Sequence, residues 1–186
     1  MKDSEIVELY WQRDEAAIKR TAEKYEKSLS KISYNILASS EDCRECVNDT
    51  YMAAWNSMPE HRPANLATYL GKIIRQISID RFRKYKSKKR ISSEYTLSIS
   101  EMADCIADNN TPEQIADFRL LDKAINSFLR SVQESERNIF IGRYYYFDSI
   151  KSIAEYTGLS ESNVKITLFR IRQKLKDYLI REGFDV

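Results

Sequence analysis

Residues 149–175 read SIKSIAEYTGLSESNVKITLFRIRQKL, and their spacing decides the fold of the C-terminal half. Ile150, Ile153 and Ala154 mark one short helix, Gly158 interrupts it, and Val164, Leu168, Ile171, Leu175 and Leu179 then recur at a helical period. Two helices that cross closely need a small residue where one passes over the other. They also need a turn residue that tolerates positive φ, and an apolar plug early in the second helix. Ala154, Gly158 and Val164 supply these in order, with Leu159 in the turn. Ser160 ahead of Asn163 suits an N-cap, so the second helix is expected to start there. The pattern predicts a helix-turn-helix.

The second helix leaves Glu161, Ser162, Asn163, Lys165, Ile166, Thr167, Phe169 and Arg170 off its core-facing line. Early residues of such a helix meet base edges and later basic ones meet phosphate, so the stretch points to DNA rather than to a merely packed hairpin.

Charge elsewhere is segregated, although the formal net charge of the 186 residues is only +2. Residues 72–90 carry nine Lys or Arg against Asp80 alone, and basic residues return over 165–181. Between them, residues 91–118 contain no Lys or Arg, while Glu94, Glu101, Asp104, Asp108, Glu113 and Asp117 accumulate. Two basic regions flanking an acidic connector are an electrostatic footprint for nucleic acid.

Composition bounds the class. At 42% hydrophobic, with four glycines and three prolines, the chain can bury cores and suits helices. It has no apolar run long enough to span a bilayer, and its start, MKDSEIVELYWQRDE, lacks the basic and apolar parts of a secretory signal. A cytoplasmic protein without direct membrane insertion is expected. Cys43 and Cys46 form a C-x-x-C, but only Cys105 and the lone His61 could complete a metal site, at irregular distances, so both cysteines are expected to fill core beside Val47, Thr50 and Ala54. One histidine, no glycine-rich phosphate loop and no carboxylate cluster argue against an enzyme, a cofactor or a small-molecule substrate.

Along the chain, a helix is expected from Glu5 to about Leu37, with one break. Ser39 and Ser40 open a second that stops at Pro59, with residues 43, 47, 50, 54 and 58 facing inward. Asn65 then caps a third, LATYLGKIIRQISIDRFRKY, expected to bury Leu66, Leu70, Ile73 and Ile77 and to expose Lys72, Arg75, Gln76, Asp80 and Arg83. Thr111-Pro112-Glu113 restarts helix. The expected architecture is all-α: two small helical domains, 1–88 and 112–186, joined by a flexible acidic linker at 89–111, the C-terminal one a helix-turn-helix.

These residues are familiar together. YYYFDSIKSIAEYTGLSESNVKITLFRIRQKLKDYL resembles the promoter-reading domain of the extracytoplasmic-function group of bacterial sigma factors. SSEDCRECVNDTYMAAW resembles that family's acidic polymerase-docking helix, and YLGKIIRQISIDRFRK its helix at the melted promoter. The resemblance covers nearly the whole chain. It implies a non-enzymatic protein that binds core RNA polymerase and directs promoter recognition, promoter melting and transcription initiation.

By the same resemblance, Asp42, Glu45, Asn48, Asp49 and Tyr51 would meet the coiled coil of the beta-prime clamp. A loop at about 58–67 would capture a flipped base of the downstream promoter element. His61, Arg62, Asn65 and Tyr69 would act there, with Lys72, Arg75, Gln76, Asp80, Arg81, Arg83 and Lys84 on backbone or base edges; Asp80 equally suits orienting a neighbouring Arg. The upstream element would be read by Ser162, Asn163, Lys165, Ile166 and Thr167, with Arg170 and Lys174 on phosphate. An anti-sigma factor is an implied partner. The chain departs from the family at Tyr69, where tryptophan is common, at Gln76, where asparagine is common, and at Ile166-Thr167, where Ser-Arg is common. Losing that Arg removes a bidentate guanine contact worth ~1–3 kcal/mol of discrimination. The rival readings are a stand-alone helix-turn-helix regulator and a sigma-like adaptor that binds polymerase without initiating.

Overall fold

The computed structural model describes residues 1–86, 93–103 and 115–184, and it divides into two units, Met1–Ser93 and Glu94–Val186. Among the described residues every regular element is helical.

The N-terminal unit begins with α1 (Asp3–Trp11) and α2 (Ala16–Leu37), separated by a break with Arg13 at φ 57°. Ala38, in the left-handed region at φ 52°, ends α2, and the Ser39 hydroxyl accepts the Asp42 N–H at 3.3 Å to start α3 (Ser40–Ser57). A 3-10 turn (Met58–Glu60) follows, carrying Pro59 where its missing N–H costs nothing. The Asn65 side chain accepts the Thr68 N–H at 2.9 Å and opens α4 (Leu66–Lys86). Helices α2, α3 and α4 pack against one another, and α1 lies on α2 and on the 3-10 turn.

The core takes Leu29, Ile32 and Ile36 from α2, and Cys43, Cys46, Val47, Thr50, Ala54 and Met58 from α3 and its end. The expected inward line of α3 is therefore observed. That of α4 differs. Leu66, Leu70, Ile74, Ser78 and Phe82 are buried, while Ile73 and Ile77 are half-buried. The contact line steps by four from Leu66, and Ser78 holds its place in it by donating to the Ser33 hydroxyl at 2.9 Å. A serine on a core line breaks the apolar pattern, and the isoleucines beside it take over the periodicity.

The C-terminal unit contains α5 (Glu94–Ala103), α6 (Ile115–Ser131), α7 (Glu134–Tyr144), α8 (Ile150–Thr157) and α9 (Glu161–Arg181). One cluster joins Ala124 and Phe128 of α6, Phe140 of α7, and Ile171, Leu175 and Leu179 of α9. A second joins Ile139, Ile153, Ala154, Val164 and Leu168. Gly142 is buried where α7 meets α8, and a Cβ there would collide with the Tyr156 hydroxyl.

Helix α5 corrects the expected linker at 89–111, because residues 94–103 are helix and belong to the C-terminal unit. Glu94 and Glu101 are seven residues apart, so two turns of helix bring them to one side. Between them they hold Arg143, whose residue is 1% exposed. Its Nη1 donates to Glu94 at 2.7 Å, Nη2 and Nε donate to the two oxygens of Glu101 at 2.7 and 3.2 Å, and Nη1 also donates to the Asp148 carbonyl at 2.8 Å. Ser98, between the two acids, donates to the Arg143 carbonyl at 3.1 Å, and Met102 packs on the α6–α9 cluster. The helix restart expected at Thr111-Pro112-Glu113 and the connector acids Asp104, Asp108 and Glu113, with Cys105, lie outside the described residues.

Removing one partner of a buried ion pair strands the other, at a cost of ~3–5 kcal/mol. Glu101→Ala should therefore lower the unfolding free energy by about 3 kcal/mol in urea titration, whereas Leu97→Ser on the exposed side of α5 should stay within about 0.5 kcal/mol. Equal effects from the two would mean that α5 is not held through Arg143.

Cys43 donates its thiol to the Ser30 carbonyl at 3.2 Å, and Cys46 is fully buried with its thiol pushed up by that burial. Thiolate is the reactive form. In a Cys105→Ser background neither cysteine should react with a disulfide reagent within minutes at pH 8, and both should in urea. A fast thiol in the folded protein would restore the redox reading of the C-x-x-C.

Candidate nucleic-acid interface

Helix α9 sets one candidate surface. The Ser160 hydroxyl accepts the Asn163 N–H at 3.2 Å, and Gly158 ends α8 at φ 70°, the left-handed turn that glycine takes without strain. Ser149 caps α8 in the same way, accepting the Ser152 N–H at 3.0 Å. With Val164, Leu168, Ile171, Leu175 and Leu179 all buried, the other side of α9 must face out. Ser162, Asn163, Lys165, Ile166 and Arg170 are exposed there, and Thr167 is half-buried at the edge. Lys174 is exposed but bound to Glu136 of α7, at 3.0 and 3.2 Å. Arg172 is turned the other way, donating to the Tyr144 hydroxyl at 2.7 Å and lying 3.5 Å from Glu101. The basic residues of α9 thus divide into an outward set and one that braces α5 and α7.

The second surface lies in the N-terminal unit, where α4 and the segment before it carry a run of cations. His61 Nδ1 bonds the Ser57 carbonyl at 2.9 Å, and Trp11 Nε1 donates to the His61 carbonyl at 3.4 Å. Arg62 donates to Glu8 at 2.7 Å and lies over the Trp11 ring, 4.5 Å from its centre. Nothing in the sequence of α1 pointed to this segment; Glu8 and Trp11 look like ordinary amphipathic-helix residues, and only the fold brings them to residue 62. Asn65 spends its oxygen on the α4 cap, and the Tyr69 hydroxyl bonds that of Ser57 at 2.6 Å. Beyond them Lys72, Gln76, Arg83 and Lys84 are exposed, and Arg75 and Asp80 are half-buried. Asp80 accepts from Gln76 at 2.9 Å and lies 4.0 Å from Arg83. Both contacts lie within α4.

Arg81, expected among the DNA contacts, is turned toward α3. Its side chain, 21% exposed, donates to Asp42 at 3.2 Å and Glu45 at 2.6 Å and stands 3.7 Å from Asp49. Burial works against its charge, but Glu45 and Asp42 outweigh that and hold the guanidinium more firmly protonated. Three of the expected polymerase-docking residues on α3 are therefore gathered by one arginine from α4. Glu45 and Asp49 remain more than half exposed, and Asn48 is exposed beside them.

Tyr51, the fifth expected docking residue, faces the core. It is 7% exposed, its hydroxyl is buried without a hydrogen-bond partner among the described residues, and burial, with Glu26 and Tyr10 nearby, pushes the phenol up to about 12. Position 51 follows Thr50 on the inward side of α3, and an amphipathic tyrosine in sequence does not say which way its ring turns. Among the described residues, no group of three or more His, Cys, Asp and Glu could hold a metal ion, and no helix is long and apolar enough to cross a membrane.

Arg81 tests the packing of the α3 acids. Arg81→Ala should destabilise the fold by about 1–2 kcal/mol, between the values for exposed and buried pairs, and Arg83→Ala by less than about 0.5 kcal/mol. Urea unfolding of the two variants distinguishes them, and the reverse order would contradict the bracket.

Two family models fall one on each unit. Residues 21–88 match the model of Sigma-70 region 2, and residues 123–175 match the model of Sigma-70, region 4. Among curated proteins none matches the chain. One similar solved chain comes from the structure of CnrH in complex with the cytosolic domain of CnrY, with 18% identity and a TM-score of 0.45 over 96% of this chain and 97% of that one. The two family matches together span more than half of the sequence, and in each the helices that carry them are the ones bearing the two surfaces: the chain belongs to the sigma-70 family, with region 2 in its N-terminal unit and region 4, a helix-turn-helix, in its C-terminal unit.

Proposed function

We propose that the chain is a sigma factor of the extracytoplasmic-function group, one that binds core RNA polymerase, selects promoters and begins their melting. The observation that carries this is the presence in one chain of region 2, with a basic α4 beside a braced segment at 58–65, and region 4, with a capped helix that turns polar and basic residues outward. A lone helix-turn-helix regulator would leave the first of these without a task.

In this reading α3 docks on the beta-prime coiled coil through Glu45, Asn48 and Asp49, whose side chains stay accessible around Arg81. His61 and Arg62 flank the place where a base extruded from the downstream element would be held. Extrusion costs a few kcal/mol in unstacking, which stacking and backbone contacts offset. Lys72, Arg75, Arg83 and Lys84 follow the strand backbone. Helix α9 enters the major groove of the upstream element, with Ser162, Asn163, Lys165, Ile166 and Thr167 toward bases and Arg170 on phosphate. Lys174 can join Arg170 only by leaving Glu136. An anti-sigma factor that covers one of these surfaces would complete the regulation usual for such a protein.

Transcription in vitro with core polymerase on fragmented genomic DNA tests the proposal. Discrete transcripts absent with core alone, starting downstream of two shared and spaced elements, are expected. Polymerase binding without transcripts would favour the adaptor, and binding of a symmetric duplex site without polymerase would favour the lone regulator. The upstream element so recovered should show no strong guanine requirement opposite Ile166-Thr167, where the family's arginine is missing. A selected pool with invariant guanine there would contradict that assignment.

A further inference from the structure

Ile166 is 48% exposed, and with Ser162 it lies across α9 from the buried Val164–Leu168–Ile171 line. It is the sixth residue of a helix that begins at Glu161, within the part that reaches furthest into a groove. Phe169, 56% exposed, stands one turn on along the same outward side. Lys165 and Arg170 are exposed to either side of this apolar strip. A branched aliphatic side chain in that position cannot hydrogen-bond any base edge. Its surroundings are nonetheless cationic, the wrong frame for an apolar protein partner and the right one for a polyanion. The major groove offers one apolar group that fits, the C5-methyl of thymine.

We infer that Ile166 is a specificity residue that selects thymine in the upstream element by packing on its methyl group. The inference rests on the promoter-reading role proposed for α9 and goes beyond it by naming the base and the atom. In place of a hydrogen-bonded arginine–guanine contact, this chain reads the apolar feature of the neighbouring code. Arg170, on phosphate, supplies sequence-independent attraction that holds Ile166 against its base, while Lys165 reaches a neighbouring base. Phe169, further from the helix start, extends the apolar strip toward the sugar–phosphate wall.

The test uses holoenzyme assembled from the full chain and core polymerase, with a promoter recovered from the genomic transcription assay. Each thymine of the upstream element is replaced singly by deoxyuridine, which removes the methyl and leaves every hydrogen-bonding group in place. Burial of one methyl corresponds to about fourfold in affinity, so at one or two positions deoxyuridine should weaken binding about fourfold. In Ile166→Ala the thymine and deoxyuridine promoters should bind equally, and Ile166→Val should keep part of the difference. Lys165→Ala should weaken both promoters alike and leave their ratio intact. Position 166 is exposed and alanine suits a helix, so the variant keeps its fold. A wild-type protein indifferent to every deoxyuridine, or an Ile166→Ala variant with the wild-type ratio, overturns the inference while leaving promoter reading intact. Loss of upstream binding by the wild-type holoenzyme itself would overturn both.

Discussion

Val164, Leu168, Ile171, Leu175 and Leu179 fasten α9 to two apolar clusters at once, and that burial dictates which of its residues can meet anything else. Each such side chain contributes about 1.5–3 kcal/mol when fully buried, an upper estimate because unfolded chains are already partly collapsed. Turning the helix by one residue would expose several of them, a cost beyond what any surface contact could recover. Ser162, Asn163, Lys165, Ile166 and Arg170 are thus presented outward by the packing behind them. The caps at Ser149 and Ser160 and the left-handed Gly158 fix where α8 and α9 start, and hence that those residues fall in the first turns of α9.

Two arginines show why charge in a sequence is not yet function. Arg81 sits in the most basic stretch of the chain and Arg143 in an aromatic one, yet both turn inward to carboxylates. Arg143 converts part of an acidic connector into a helix packed on region 4. Arg81 draws the acidic residues of α3 toward α4, leaving three carboxylates around a single guanidinium that offsets one of their charges. The planar guanidinium suits both tasks, since it can donate to several oxygens at fixed angles while its charge stays on.

Much of the fold is legible in the sequence because its helices are amphipathic and their ends carry serine, asparagine and glycine. The helix-turn-helix could be located from Ala154, Gly158 and Val164, and α3 from its caps and its inward line. Most of the differences share one physical origin, a polar residue whose partner is distant in sequence. Ser78 hid the core line of α4 because its partner is Ser33. Glu94 and Glu101 passed for linker acids because Arg143 lies more than forty residues away. Arg81 reads as an open surface cation because the acids that hold it lie on another helix. Tyr51 is a separate case, its ring turned into the core and its hydroxyl without a partner among the described residues. The bracing of Arg62 by Glu8 and Trp11 left no trace in sequence, since nothing in the pattern of α1 differs from an ordinary surface helix.

The central claim is that two separate surfaces of one chain serve two separate steps at a promoter, and footprinting of the holoenzyme with permanganate reactivity tests it most directly. With Lys165→Glu the upstream protection should be lost, and the thymines that open downstream should stay reactive once the protein concentration is raised. With Lys72→Glu the upstream protection should persist while permanganate reactivity disappears. Loss of both signals together in each variant, at every concentration, would contradict the account.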